Sequence, residues 1–295
     1  MPPTSTTVAF QLLERIVGTG RAAGAALTDG SVLTIDAVSD QFGVSRPTAT
    51  AAIHKLIEKG VLRNRQRTGA VVQPRAHWLY LDAELLHWLL DAEQLGAVEL
   101  VQETRRGIES AAARAAASRI QPHQYDPIMT AALRIYDLGY RQGKRFGHHW
   151  RQFGDVDATY HGLILRASGN HVFQAFESVI ARVLWARLQN RDDAAPGDAG
   201  PDDADRFPKQ PKPEAMILHV AQAKSVIQRK PDAAEVITQA IMAEFATGLD
   251  TPYMRAGLAH ALHHDLQWSA SELKEYGPLL ELFPSRPMTP TEERR

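Results

Sequence analysis

An aspartate and a histidine four residues apart are the first pair of side chains in this chain that could do chemistry together. Asp157 and His161 lie in a segment whose apolar residues recur at helical spacing, so both project from one face of a helix. A carboxylate and an imidazole placed in this way bind a divalent transition metal if further ligands converge on them. Adjacent histidines also occur at 148–149 and 263–264, but neighbouring residues point to different helix faces and chelate poorly.

A second group of side chains with a possible function is the set of lysines and arginines near the N-terminus. Residues 1–75 contain nine Lys and Arg but five Asp and Glu, a net charge of +4 that leaves −5 for the rest of a chain with a total of −1. Six of the nine cations fall between Arg46 and Arg67. A basic head on an acidic body is typical of a protein whose head binds the phosphates of DNA.

The segments around these cations predict a winged helix-turn-helix domain over residues 1–75. An amphipathic helix over 8–17 is followed by two short helices that Thr34 and Ser45 can cap, joined by a glycine turn. Two helices joined in this way are typical of a helix-turn-helix motif, whose second helix enters the major groove. The strand-like residues 61–72 predict a hairpin with a basic tip, a wing that can contact phosphates or the minor groove.

The remainder of the chain predicts an all-helical bundle over residues 76–284, so the expected fold class is mainly α. Helical periods recur along it, and no alternating strand pattern of comparable length follows the wing. Six Asp and five Pro crowd residues 191–213, which predicts a mobile loop within the bundle. Residues 285–295 are predicted to form a disordered tail.

Composition narrows the class of protein. The chain contains no cysteine, which excludes disulfides and thiolate chemistry. No apolar run approaches the ~18 residues that span a bilayer, and the N-terminus lacks the basic and apolar regions of a secretory signal. We therefore expect a cytoplasmic protein without a membrane partner.

The head resembles the GntR family of repressors. The stretch from Phe42 to Val72, FGVSRPTATAAIHKLIEKGVLRNRQRTGAVV, is similar to that family's head in its VSR turn, the end of its recognition helix and the glycine of its wing. The resemblance implies a double-stranded DNA operator as partner, contacted by residues of the turn, the third helix and the wing. These residues are Ser45, Arg46, Thr48, Thr50, Arg65, Arg67, Thr68 and Gly69.

Two positions depart from that family's pattern. Thr50 stands where the family usually has a second arginine on the recognition helix, and Asp36 stands where the preceding helix is frequently basic. A bidentate contact between arginine and guanine contributes ~1–3 kcal/mol of discrimination, so direct base readout is expected to be reduced or altered. The alternative is a head that contacts protein or has lost DNA binding.

The body resembles the FCD effector domain found in the FadR branch of the same family. Three blocks carry the resemblance: ETRRGIESAAARAAA from residue 103, DATYHGLILRASGN from residue 157 and, more loosely, EAMILHVAQAKSVIQRKPDAA from residue 214. The resemblance implies a small organic acid or sugar acid as effector. It also implies that Arg105 faces the effector pocket, where a ligand carboxylate or Glu109 would pair with it. Asn170 either caps the following helix or contacts the effector.

The same resemblance implies further metal ligands. Many FCD domains complete the aspartate and histidine with two more histidines. His219 matches the first of these, whereas the ungapped register places Ile241 at the second, and Glu244 substitutes only if the helix register slips. The expected site is Asp157, His161 and His219 with an open position, which suits zinc or another divalent transition metal. The alternative is that the three are polar groups of the effector cavity that hydrogen-bond to one another or to ligand.

Together these patterns predict a homodimeric transcription regulator whose operator affinity is controlled by a small metabolite bound in the helical domain. One alternative is a metal-independent sensor of acyl-CoA or another large ligand. A second is a metalloenzyme that uses Asp157, His161 and His219, although no nucleophile or general base accompanies them. Residues 246–284 extend beyond the usual end of the FCD resemblance, and they either support dimerisation or cover the bundle.

Overall fold

The computed structural model describes residues 3–18, 24–65, 69–93, 95–141, 146–189, 213–243 and 252–283. The chain divides into two compact units, Met1–Glu99 and Leu100–Arg295. In the described residues the backbone is mainly helical and includes one small three-stranded sheet, which confirms the expected fold class. The predicted tail lies outside the described residues, as does the predicted loop apart from its last residue.

The N-terminal unit is a winged helix-turn-helix, as the sequence predicts. Its strands form one antiparallel sheet in the order β1–β3–β2, in which Arg65 lies opposite Gly69 next to the wing's tip. Its elements in chain order are α1 (Ser5–Val17), β1 (Val32–Leu33), α2 (Ile35–Phe42), α3 (Arg46–Glu58), β2 (Leu62–Arg65), β3 (Gly69–Val72) and α4 (Ala83–Glu93).

Local side-chain caps begin the two helices of the motif. The Thr34 hydroxyl accepts a hydrogen bond from the Ala37 amide at 3.1 Å, and the Ser45 hydroxyl accepts one from the Thr48 amide at 3.3 Å. Between the helices, Gly43 has a φ of 61°, a left-handed conformation that a residue without Cβ adopts at little cost. These caps and this turn fix where α2 ends and α3 begins.

A buried lysine joins the end of α3 to the start of α4 through two carboxylates that are partly exposed. Lys59 Nζ lies 2.9 Å from Asp82 Oδ1 and 2.8 Å from Glu84 Oε2, and it is 5.2 Å from the centre of the Trp88 ring. The Leu79 amide donates a hydrogen bond to the Lys59 carbonyl at 2.9 Å. Helix α1 packs against both α3 and α4. The compact head therefore includes α4.

The C-terminal unit is a bundle of helices. Helix α10 is at its centre and packs against α6, α11 and α13, while α7 packs against α6 and α9. The helices in chain order are α5 (Leu95–Arg119), α6 (Tyr125–Tyr136), α7 (Phe146–Ala167), α8 (His171–Ala175), α9 (Glu177–Gln189), α10 (Pro213–Ile227), α11 (Pro231–Ala243), α12 (Pro252–His260) and α13 (Ala270–Leu280).

The C-terminal extension covers the bundle. Leu258 and Leu262 follow α11 in the chain, Tyr276 and Leu280 lie on α13, and all four are buried in the same apolar core as α10. Helix α12 packs against α11, and α13 packs against α10. No described helix is long and apolar enough to cross a membrane.

Candidate metal and effector site and candidate DNA-binding face

Three side chains expected to bind a metal meet in the interior of the bundle. Asp157 and His161 lie on α7, His219 lies on α10, and all three are buried. Each offers one ligand atom, and these atoms lie within 4.8 Å of one another. Asp157 Oδ1 is 3.5 Å from His161 Nε2 and 3.6 Å from His219 Nε2. The spacing on α7 and the packing of α10 against it thus produce the predicted cluster.

The partners of the two imidazoles fix which ring nitrogen faces the cluster. His219 Nδ1 lies 2.6 Å from the Ala215 carbonyl, so it carries the proton and leaves the Nε2 lone pair directed toward Asp157. His161 Nδ1 is bound to the Glu109 carboxylate, which likewise leaves Nε2 on the side of Asp157. A carboxylate that orients a histidine in this way is the usual outer partner of a metal-binding imidazole.

Buried hydrogen bonds hold the helices that carry the cluster. The Tyr160 ring stands edge-on to both His161 and His219, with ring centres 5.7 and 5.4 Å apart. Its hydroxyl donates to Gln222 Oε1 at 2.7 Å, and Gln222 Nε2 donates to Thr238 Oγ1 at 2.5 Å. Helices α7, α10 and α11 are therefore connected by polar contacts directly behind the cluster. Such fully satisfied buried networks restrict side-chain positions.

The charges in the site balance one another. Burial raises the pKa of Glu109, but Arg105 and His161 bring it down to about 2. Burial lowers the pKa of His161, but Glu109 and Asp157 raise it to about 9. Burial lowers the pKa of His219 to about 4, despite the nearby Asp157. Two buried carboxylates thus face a positive charge on His161, which would have to lose its Nε2 proton in order to bind a metal, whereas His219 is already neutral.

The donor set fits a divalent transition metal. One carboxylate and two imidazoles are ligands that zinc and iron accept, and three protein ligands leave coordination positions open for an external oxygen. Ile241, at the position where the resemblance expects a fourth ligand, is a fully buried apolar residue and cannot coordinate. Glu244 lies outside the described residues. The described residues therefore supply three candidate ligands and no fourth one from position 241.

Arg105 continues the cluster along α5. Its guanidinium is 1% exposed, and its Nε donates to Glu109 Oε1 at 2.5 Å. Its Nη1 donates to Gln102 Oε1 at 3.3 Å, whereas its Nη2 is buried without a hydrogen-bond partner among the described residues. The sequence leaves open whether Arg105 pairs with a carboxylate of the effector or with Glu109. The structure shows the pair with Glu109, and a contact between Arg105 and an effector stays a prediction.

Asn170 occupies the N-cap of α8. Its side-chain oxygen accepts a hydrogen bond from the Val172 amide at 2.9 Å. The preceding residue, Gly169, has a φ of 66°, and Ser168 is fully buried. The capping role expected from the sequence is thus observed, and its contact with an effector stays a prediction.

The N-terminus of α3 presents the expected DNA-contacting residues together. Ser45, Arg46, Thr48 and Thr50 lie within its first two turns, and Ser45 and Thr48 share a hydrogen bond between their hydroxyls at 2.9 Å. Arg65 is exposed on the wing strand β2. Of the other expected contacts, Gly69 begins β3, whereas Arg67 and Thr68 lie outside the described residues.

An ion pair on this face was missed by sequence reasoning. The Arg46 guanidinium binds the Asp36 carboxylate, and both side chains are about two-thirds exposed. Asp36 had been noted only as a reversed charge. The signal that could have indicated the pair is the placement of the two residues at the starts of adjacent helices, because both ends point to the same side of the motif.

Comparisons with known families match both units. Residues 5–72 match the family described as "Bacterial regulatory proteins, gntR family". Residues 100–244 match the FCD domain.

Two curated proteins of Escherichia coli strain K12 are similar in sequence. The galactonate operon transcriptional repressor is 27% identical over 170 residues, which cover 56% of this chain and 71% of the repressor. The uncharacterized HTH-type transcriptional regulator YieP is 39% identical over 61 residues, which cover 21% of this chain and 26% of YieP.

Solved structures show similar chains at low identity. A structure described as Lar, which controls expression of the Listeria monocytogenes agr system, is 15% identical with a TM-score of 0.42 and covers 82% of this chain and 95% of its own. McbR/YncC of E. coli is 12% identical with a TM-score of 0.40 and covers 82% of this chain and 95% of its own.

Proposed function

We propose that this chain, which belongs to the GntR family of bacterial regulatory proteins and carries an FCD domain, is controlled by a small acid. The chain is a DNA-binding transcriptional regulator rather than an enzyme. A sugar acid or a related small hydroxy acid that binds beside Asp157, His161 and His219 controls its affinity for an operator. The observation that carries this proposal is the buried Arg105, whose Nη2 has no partner among the described residues, next to a cluster of side chains that can bind a metal.

The chemistry of the cluster supports an acid as effector. A divalent metal held by Asp157, His161 and His219 would supply open coordination positions for carboxylate and hydroxyl oxygens. Arg105 binds carboxylates through a planar array of N–H donors. The related E. coli protein is named as a repressor of a galactonate operon, and galactonate combines one carboxylate with several hydroxyls. We therefore take galactonate as the first probe.

The head supplies the DNA contacts in this proposal. Ser45, Arg46, Thr48 and Thr50 enter the major groove with the N-terminus of α3, where the helix dipole also favours phosphate. Arg65, Arg67, Thr68 and Gly69 of the wing contact the backbone or the minor groove. Two chains bind as a homodimer to two half-sites, and the acid must bind the DNA-competent and DNA-incompetent arrangements unequally in order to switch them. Since the operator is chromosomal DNA, the protein acts in the cytoplasm.

The test measures binding of the full-length protein to the DNA upstream of its own gene. Binding is followed at two salt concentrations, with and without galactonate, and before and after removal of metal by EDTA. We expect one salt-sensitive footprint whose affinity changes with galactonate and whose response to galactonate is lost with the metal. No footprint under any condition contradicts the regulator role of the head.

A pair of histidine variants assigns the response to the site. His219→Ala should leave operator binding in the absence of acid unchanged and abolish both metal binding and the galactonate response. His171→Ala, an exposed histidine on α8, is the matched control and should behave as wild type. An unaltered response in His219→Ala contradicts the placement of the effector at this cluster.

A further inference from the structure

Three side-chain atoms on α5 are buried without a hydrogen-bond partner among the described residues: Gln102 Nε2, Arg105 Nη2 and Ser110 Oγ. Gln102, Arg105 and Glu109 lie at spacings of three and four residues, so they share one face of the helix. Among the described residues, neither Arg105 Nη2 nor Gln102 Nε2 has a hydrogen-bond partner, although both atoms are removed from solvent. Nearly all buried polar atoms in proteins are paired. Gln102 Nε2 and Arg105 Nη2 belong to side chains that contact each other, so a single acceptor group between them would satisfy both.

The neighbouring arginine fixes the role of the glutamine. Gln102 Oε1 accepts the hydrogen bond from Arg105 Nη1 at 3.3 Å, so the carboxamide must present its NH₂ group on the other side. Arginine has no acceptor that would tolerate the reverse orientation. Gln102 and Arg105 therefore both offer N–H groups, and only an acceptor can satisfy them.

The other two nitrogens of the Arg105 guanidinium, Nε and Nη1, already have hydrogen-bond partners. Its Nε is held by Glu109, and Glu109 in turn holds His161 of the metal-binding cluster. The order of groups from the cluster outward is thus His161, Glu109, Arg105 and Gln102. The nitrogens without partners, on Arg105 and Gln102, are therefore at the end of this series farthest from His161, and Glu109 separates them from it.

From this arrangement we propose that Gln102 is a specificity-determining residue for the effector. Gln102 Nε2 and Arg105 Nη2 form a two-donor fork that binds oxygens of the acid, either both oxygens of the carboxylate or one of them and an adjacent hydroxyl. The fork accepts acids and rejects ligands that place an ammonium or an amide N–H group there, because two donors then face a donor. This inference rests on the proposed effector and adds the residue that selects it.

The identity of residue 102 decides whether the fork is open. A glutamate would offer two acceptor oxygens to Arg105 and occupy the N–H groups that otherwise bind the acid. A leucine would fill a similar volume but would remove both the Nε2 donor and the Oε1 acceptor of Arg105 Nη1. The glutamate variant therefore tests a blocked fork, and the leucine variant tests a site in which Arg105 is the only donor left.

The experiment measures calorimetric binding of galactonate to zinc-loaded full-length protein. The variants are Gln102→Leu and Gln102→Glu, with Glu103→Gln as matched control because Glu103 is the next residue and is exposed. We expect galactonate affinity to fall about tenfold or more in Gln102→Leu, since a hydrogen bond to a charged group is lost, and to fall further in Gln102→Glu. Glu103→Gln should match wild type. Galactosamine, which carries an ammonium group and no carboxylate, should bind none of the four proteins.

Zinc content and operator binding without acid distinguish a selective role from a structural one. Both Gln102 variants should fold and retain the zinc content and operator affinity of wild type. Gln102→Leu should have a somewhat lower thermal midpoint, because the buried Arg105 Nη1 loses its acceptor. Wild-type affinity for galactonate in both Gln102 variants overturns this inference and leaves the proposed function intact. Loss of zinc or of folding along with galactonate in both variants also overturns it, because residue 102 then acts on the structure. If wild type binds no sugar acid, the inference and the proposed effector fail together.

Discussion

At the scale of single residues, Asp36 and Arg46 form an ion pair on the face proposed to bind DNA. Arg46 is the first residue of α3, and its guanidinium is bound to a carboxylate on the preceding helix. Exposed ion pairs of this kind contribute only about 0–1 kcal/mol to folding. The pair is therefore weak as a structural element, but it places a negative charge on a face that must approach phosphates.

Replacement of Asp36 should strengthen DNA binding. Asp36→Ala frees the Arg46 guanidinium and removes the repulsion between the carboxylate and the backbone phosphates, so we expect affinity at low salt to rise roughly three- to tenfold with a steeper salt dependence. Fluorescence anisotropy with operator DNA at two salt concentrations measures both. Asp29→Ala, an exposed aspartate before β1, is the control.

A fall in affinity would give Asp36 a different role. In that case the carboxylate helps to read the sequence, either by accepting a hydrogen bond from a cytosine amino group or by holding Arg46 for a guanine. The two roles separate further on DNA of unrelated sequence. If Asp36 only repels phosphates, its replacement changes the affinity for specific and non-specific DNA alike. If Asp36 helps to recognise a base, its replacement changes only the affinity for specific DNA.

The residue scale also shows which parts of the site a sequence can predict. Asp157 and His161 could be paired because four residues on a helix bring two side chains to one face. His219 could be added only through the resemblance to a family, since it lies on another helix. The contact between Glu109 and His161 was not predicted, because nothing local to either residue indicates that α5 packs against α7. The unpartnered nitrogens of Gln102 and Arg105 are visible only once the surrounding side chains are placed.

At the scale of elements, the sequence predicts where a helix begins better than where a helix is interrupted. Thr34 and Ser45 cap α2 and α3 as expected, because a hydroxyl before a helix satisfies its free amides. Apolar residues recur at helical spacing from Val172 to Leu188 and give no sign of a break, yet the helix is divided at Phe176 between α8 and α9. The π-helical turns at Asp137–Arg141 and Ala261–Asp265 have no comparable sequence signal. They arise where a helix must adjust its packing, which depends on its neighbours.

Helix α13 is held to α10 by a carboxylate whose charge depends on pH. Glu272 Oε1 lies 2.6 Å from Lys224 Nζ, and its Oε2 accepts a hydrogen bond from the Ser269 amide at 2.7 Å. Burial raises the pKa of Glu272, but the contacts with Lys224 and Ser269 outweigh it and lower the pKa below its ordinary value. The carboxylate therefore stabilises the folded chain above its ordinary pKa, and this contribution is lost as pH falls through the lowered folded value.

Glu272→Gln should flatten the pH dependence of stability in this acid range. The wild-type free energy of unfolding should decrease by on the order of 1 kcal/mol more than that of Glu272→Gln between about pH 6 and pH 3. Urea denaturation of metal-free protein at several pH values measures the difference. Glu281→Gln, an exposed glutamate after α13, should run parallel to wild type. Parallel curves for Glu272→Gln as well would show that Lys224 does not stabilise the ionised form.

At the scale of the whole molecule, the uneven charge of the chain matters for DNA binding. The first 75 residues carry +4 and the remainder −5. Attraction to DNA therefore belongs to the head, while the body repels phosphates and limits how closely it can approach. In the proposed mode of binding, a single head of this modest charge would contact few base pairs through Arg46 and its neighbours. Discrimination against the ~10⁶–10⁹ competing sites of a genome requires more contacts than that.

Dimerisation would supply the missing contacts, because two heads on one operator double the base pairs that are read. We expect a mass in solution of about twice the 32.6 kDa of one chain and an operator with two half-sites about one helical turn apart, related by two-fold symmetry. Sedimentation measures the mass, and footprinting measures the spacing of the half-sites.

Insertion of five base pairs between the half-sites turns one half-site to the opposite side of the DNA and should reduce affinity to the non-specific level. Insertion of ten base pairs should restore part of the affinity. Equal affinity for all three spacings, or one chain per operator, would mean that each head binds alone, and specificity would then have to come from DNA shape at a single site.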